Sequence, residues 1–166
     1  MKIFILLVTS LLFIFTSSLS FANCPQGFKK AKELYFNILV CGDMAVSDYN
    51  LQYAANVIKS IIDFNGDNKP DNPKVVKRLS SSASSFAVIS SKKNEEKYSD
   101  LIIAENFTIV YEDEMVTDLS EFDPTLEEAL HLITQHGFAK EYPSKFGEFK
   151  SSEISILMDI ARGGHF

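Results

Sequence analysis

Two clusters in this chain carry residue types at spacings that chemistry can use. The first is Leu126-Glu127-Glu128-Ala129-Leu130-His131. Zinc peptidases of the HExxH type set two ligands four residues apart on a helix, with a glutamate beside the first as general base. Here that frame is kept with Glu127 in the place of the first histidine. Helical steps of about 100° put Glu127 and His131 about 40° apart, so both can reach one zinc ion, and Glu128 lies about 60° from His131, within reach of a metal-bound water. A catalytic zinc takes three protein ligands and keeps one position open. Glu153, Asp159 and His165 are the in-chain candidates for the third, and spacing does not select among them. His136 falls about 140° around the helix from His131 and is expected at the helix C-terminus, where a cationic side chain is favoured. The plainer reading of Glu127, Glu128 and His131 is an exposed polar face, since E-E-x-x-H is common in helices.

The second cluster is Asp63-Phe64-Asn65-Gly66-Asp67-Asn68-Lys69-Pro70-Asp71. Asp63, Asn65, Asp67 and Asp71 occupy positions one, three, five and nine of a calcium-type loop. Calcium takes six to eight hard oxygens, and alternate residues on a tight turn can aim inward together. Asn68 stands where the EF-hand loop has its turn glycine, and Lys74 where it has a bidentate glutamate. The competing reading is an Asx-rich turn whose side chains cap backbone groups.

Compartment and partners follow from the rest of the chain. Lys2 precedes an almost unbroken apolar run from Ile3 to Phe15, then serines and Ser20-Phe21-Ala22. The small-x-small ending fits a cleaved signal peptide over residues 1–22, with residues 23–166 as one domain in a secreted or periplasmic protein. The run is too short for a spanning helix of about 20 apolar residues, and no later segment qualifies. Losing Lys2 takes the net charge from −6 to −7, so nucleic acid is excluded as a partner. In an oxidising compartment Cys24 and Cys41 are expected to pair, and their spacing is far from C-x-x-C. Asn106-Phe107-Thr108 is a glycosylation triplet that acts only in a eukaryotic secretory pathway.

The elements that would position these residues are short and mixed. Leu34 to Cys41 reads as a strand. A helix capped by Ser47 spans about Asp48 to Asp63, and another begins at Asn72-Pro73 and runs through Leu79, before a serine-rich linker over residues 80–85. Phe86 to Ser90 is a strand, and Ser91 to Ser99 a charged loop. Leu101 to Ala104 and Phe107 to Tyr111 read as strands joined by a tight turn at Glu105-Asn106, followed by an acidic loop. Asp123-Pro124 opens a helix whose stripe Leu126, Leu130 and Ile133 should pack inward, and which stops at Gly137. Ser151 or Ser152 starts a last helix ending at Gly163-Gly164. Helices and strands without strict alternation predict an α+β fold, a small mixed or antiparallel sheet with three to four helices.

Three blocks carry a wider likeness: IIDFNGDNKPDNPKVV (61–76), LEEALHLITQHGFAKEYPSKFGE (126–148) and MDIARGGHF (158–166). With them the chain resembles an uncharacterised secreted zincin-like family of marine microbes and invertebrates. The resemblance implies that the E-E-x-L-H helix is a family feature. It also implies a longer relative whose tyrosine-rich extension offers a third ligand, so the chain matches the N-terminal part or is a shortened member. The expectation is therefore a secreted metal-binding protein, a degenerate zinc metallopeptidase-like hydrolase acting on a peptide or protein substrate. The alternative is a non-catalytic calcium-binding or surface-interaction domain.

Overall fold

The structure is a computed structural model and describes residues 24–35, 38–82, 84–102, 107–115 and 122–164. A four-stranded sheet runs β1 (Lys30–Glu33), β2 (Leu39–Gly42), β3 (Ser85–Ile89) and β4 (Phe107–Tyr111), in that spatial order. β1 is antiparallel to β2, with Ala31 opposite Cys41, and β2, β3 and β4 are parallel. Every residue of β2 and β3 is buried, as expected of parallel strands covered on both faces. With the helices below, this is the α+β fold expected, with a mixed sheet.

On one face Val40, Phe86, Val88 and Val110 meet apolar side chains of α1 (Asp48–Ile62), α2 (Pro73–Ser81) and α4 (Pro124–His131). On the other, Leu39, Cys41, Ala87 and Ile89 pack with Phe28 and Tyr98, whose rings stack 4.8 Å apart. The Cys24–Cys41 disulfide is formed and belongs to this second layer. Asp43 joins the ends of β2 and β3. Its buried carboxylate accepts from the N–H groups of Ala45 and Val46 and from the N–H and hydroxyl of Ser90. Burial pushes this carboxyl up, but those hydrogen bonds outweigh it and hold the pKa below the usual aspartate value.

Caps appear where the sequence signals them. Ser47 accepts from Asn50 N–H, Asn72 from Val75 N–H, Asp123 from Thr125 N–H and Ser152 from Ser155 N–H.

Several expected elements differ. The single strand over Leu34 to Cys41 is the end of a hairpin: Leu34 N–H donates to Ile38 carbonyl, and only Leu39 onward belongs to β2. Its partner β1, KAKE, has poor strand propensity but lies at a sheet edge with alternate residues exposed, where lysines are favoured. The serine linker is shorter than expected, since α2 extends to Ser81 and β3 begins at Ser85. The charged loop from Ser91 is a 3₁₀ helix, Lys92–Tyr98, leading into α3 (Ser99–Ile102), where a strand had been expected. The expected Glu105-Asn106 turn lies outside the described residues. The reason for the helix is topological. β4 runs parallel to β3, so the chain must cross back to the start of the sheet, which a two-residue hairpin cannot do.

Candidate functional site

Asp123 fixes the start of α4. One carboxylate oxygen caps Thr125 N–H, and the other accepts a hydrogen bond from the Tyr53 hydroxyl on α1. That bond, with burial and the Asp123 charge, raises the Tyr53 hydroxyl to about 12. Pro124 occupies the first helical turn, where its missing N–H costs nothing.

On this helix Glu127 Oε1 and His131 Nε2 come within 3.8 Å, and both side chains are about half exposed. The pair is brought together as the spacing predicts. Glu128 lies deeper. Burial raises its carboxyl pKa, His131 opposes that, and the Glu127 charge adds to it. Glu128 also faces the end of β4. There Tyr111 is pushed up to about 12 by burial, Glu95, Glu114 and Glu128.

Among the described residues no third ligand comes to the pair, and no group of three His, Cys, Asp or Glu side chains could hold one metal ion. Glu153 and Asp159 stand exposed on α7 (Glu153–Ala161), which packs on α6 (Pro143–Phe146). His165 lies outside the described residues.

The stripe expected to pack under the pair also divides. Ile133 is buried, but Leu126 and Leu130 are 51% and 43% exposed. Together with Phe122 they border a shallow depression of about 500 Å³ beside Glu127 and His131. The buried edge of the helix is instead Thr125, Ala129, Leu132 and Ile133.

Beyond His131 the helix does not stop at Gly137. It widens into a π-helical segment, Leu132–Phe138, and continues into α5 (Ala139–Glu141). A Cβ on Gly137 would lie 2.7 Å from Val75 Cγ1 of α2. The glycine thus serves close helix contact and not termination. The same wide turn carries His136 inward instead of to an exposed helix end, with Nδ1 unpartnered among the described residues. Burial lowers its pKa, Lys140 acts in the same direction and Glu148 opposes.

The acidic turn holds itself together. Asp63, buried at the end of α1, accepts from Asp67 N–H, Asn68 N–H and the Tyr35 hydroxyl. Asn65 accepts from Asp67 N–H, Asp67 from Lys69 N–H and Asp71 from Phe64 N–H. All four side chains proposed for calcium are thus engaged with local donors, the pattern of an Asx-capped turn. Asn68 has φ +63°, so it supplies the left-handed turn that glycine provides in a calcium loop.

The largest thing that sequence reasoning missed is the orientation of the last helix, α7. Ser152 is fully buried and caps it, and Arg162, Gly163 and Gly164 close it by donating to the carbonyls of Met158, Ile160 and Asp159. Yet none of its residues is buried. Ile154, Ile156, Leu157, Met158 and Ile160 are 39–68% exposed. At about 100° per residue, Ile156, Ile160, Leu157, Ala161, Ile154 and Met158 sweep an arc of about 200° broken only by Glu153, with Ser155 and Asp159 opposite. Ser155 is the most covered residue of the helix. The helix and its bounds were legible in the sequence, but its outward orientation was not.

Comparison of the chain with protein-family models, curated proteins and solved structures finds no match. What the site can do follows from its own geometry.

Proposed function

We propose that this is an exported, non-catalytic interaction domain that works by presenting the apolar face of α7 to another protein surface. One observation carries the reading: a capped helix that turns five large apolar side chains outward and buries none of its residues. Contiguous exposed apolar patches of several hundred Å² mark sites of association in soluble proteins. Export is supported by the signal-like start, by the disulfide, and by the lack of any membrane-crossing helix among the described residues. The test uses an apolar fluorescent dye with dilute purified protein. Dye binding is expected, and the triple change Ile156→Ser, Leu157→Ser and Ile160→Ser should remove it while leaving the circular dichroism unchanged. Equal dye binding by the triple variant would overturn the reading.

A second reading keeps zinc at Glu127 and His131, with Glu128 as the base of a peptide hydrolase. It is favoured by the 3.8 Å approach of the pair and by the raised pKa of Glu128. Under it, zinc content approaches one ion per chain and falls in His131→Ala. Zinc content that His131→Ala leaves untouched removes it.

A further inference from the structure

We propose that Asn65 is a covalent modification site, where the side-chain amide of the folded protein converts by its own chemistry to aspartate and isoaspartate and loosens the turn between α1 and α2. The inference is independent of α7. Asn65 is followed by glycine, whereas every other asparagine is followed by a residue that carries a side chain. In the reaction the Gly66 backbone nitrogen attacks Asn65 Cγ. The N–Cγ bond forms, the Cγ–Nδ2 bond breaks, and ammonia leaves with the proton that Gly66 N–H gives up. Water then opens the cyclic imide at either carbonyl, which yields aspartate or isoaspartate.

Three features of the folded turn favour this step. The first is room. Asn65 and Gly66 are exposed, and a Cβ on Gly66 would meet nothing within 4 Å. Gly66 has φ +71°, and the freedom of a glycine backbone lets the peptide between the two residues turn until its nitrogen meets Cγ. The second is a lightly held nucleophile. Gly66 N–H donates to the Asp63 carbonyl at 3.3 Å, long for such a bond. The third is a polarised electrophile. Asn65 Oδ1 accepts from Asp67 N–H at 2.8 Å, which draws electron density from Cγ, and Nδ2 has no hydrogen-bond partner among the described residues.

Other asparagines lack these features. Asn72 precedes Pro73, whose nitrogen has no hydrogen to lose. The side-chain amides of Asn50 and Asn94 donate to Glu112 and Ser90.

The consequence is local. Isoaspartate carries the main chain through Cγ and adds a methylene to it, so the carbonyl that capped Asp67 N–H is taken into the backbone. Either product adds a negative charge to a turn that already holds Asp63, Asp67 and Asp71. Those like charges repel, and the turn follows the C-terminus of α1, where the helix dipole disfavours anions.

The experiment incubates the disulfide-bonded protein in warm, mildly alkaline buffer. Isoelectric focusing follows its charge, and peptide mapping with an isoaspartate-specific methyltransferase locates the product. A form with one more negative charge should accumulate, faster than in mildly acidic buffer, with isoaspartate in the peptide that contains Asn65. The modified form should melt at a lower temperature than fresh protein. Asn65→Ser keeps an oxygen acceptor for Asp67 N–H and should show neither change. A folded protein that keeps its charge overturns the inference, and conversion of the urea-unfolded chain in that case shows that the turn protects the amide. Isoaspartate that arises mainly at another asparagine also overturns it, as does a modified form that melts at the same temperature as fresh protein.

Discussion

At the scale of single residues, His136 is the side chain whose environment departs furthest from what its type suggests. A histidine near the end of an amphipathic helix is ordinarily placed at the surface, but the π-helical turn buries this one. Burial holds its pKa below the ordinary 6.5, helped by Lys140 and opposed by Glu148. The folded state therefore binds fewer protons here than the unfolded chain, and stability falls as pH drops below about 6.5 toward the lower folded value. A lower melting temperature is expected at about pH 5 than at about pH 7. The non-titrating variant His136→Gln should flatten that dependence, as calorimetry can establish. An equal slope in the variant would assign the pH effect to other groups.

At the scale of elements, the decisive contact is between α2 and the π-helical segment. Gly137 lets the two backbones approach until Val75 fills the space that a side chain would need. Gly137→Ala is expected to destabilise the protein by about 1–3 kcal/mol through overpacking, read from urea unfolding midpoints. Val75→Ala removes the clashing methyl groups, so the double variant should recover part of that loss. A purely additive double variant would show that the strain lies elsewhere. Helix starts were legible because each depends on local chemistry: Ser47, Asn72, Asp123 and Ser152 all cap the helices they precede. The continuation through Gly137 was not legible, because the glycine that ends many helices also serves where two helices touch, and only the neighbour distinguishes these uses.

At the scale of the whole molecule, the disulfide fastens the segment around Phe28 across the outer layer of the sheet. It closes a loop over 17 residues of sequence separation, which predicts about 3 kcal/mol of stabilisation from the unfolded chain's lost freedom. The double change Cys24→Ser and Cys41→Ser should lower the unfolding free energy by about that amount in denaturant titration. A change near zero would mean that the Phe28 and Tyr98 packing holds the layer unaided.

The sequence by itself determined the properties that depend on neighbours along the chain: the capped helix starts, the pairing of the only two cysteines, and the i to i+4 approach of Glu127 and His131. It also predicted an α+β class, because alternating and helical periodicities are local. Tertiary structure decided which faces are covered. It made β4 parallel to β3, sent His136 inward, left Leu126 and Leu130 outside, and brought no third ligand among the described residues to Glu127 and His131. It also turned the apolar arc of α7 toward solvent. The physical reason is that periodicity says which residues share a face, whereas burial depends on what lies opposite, and that is set by segments far away in the chain.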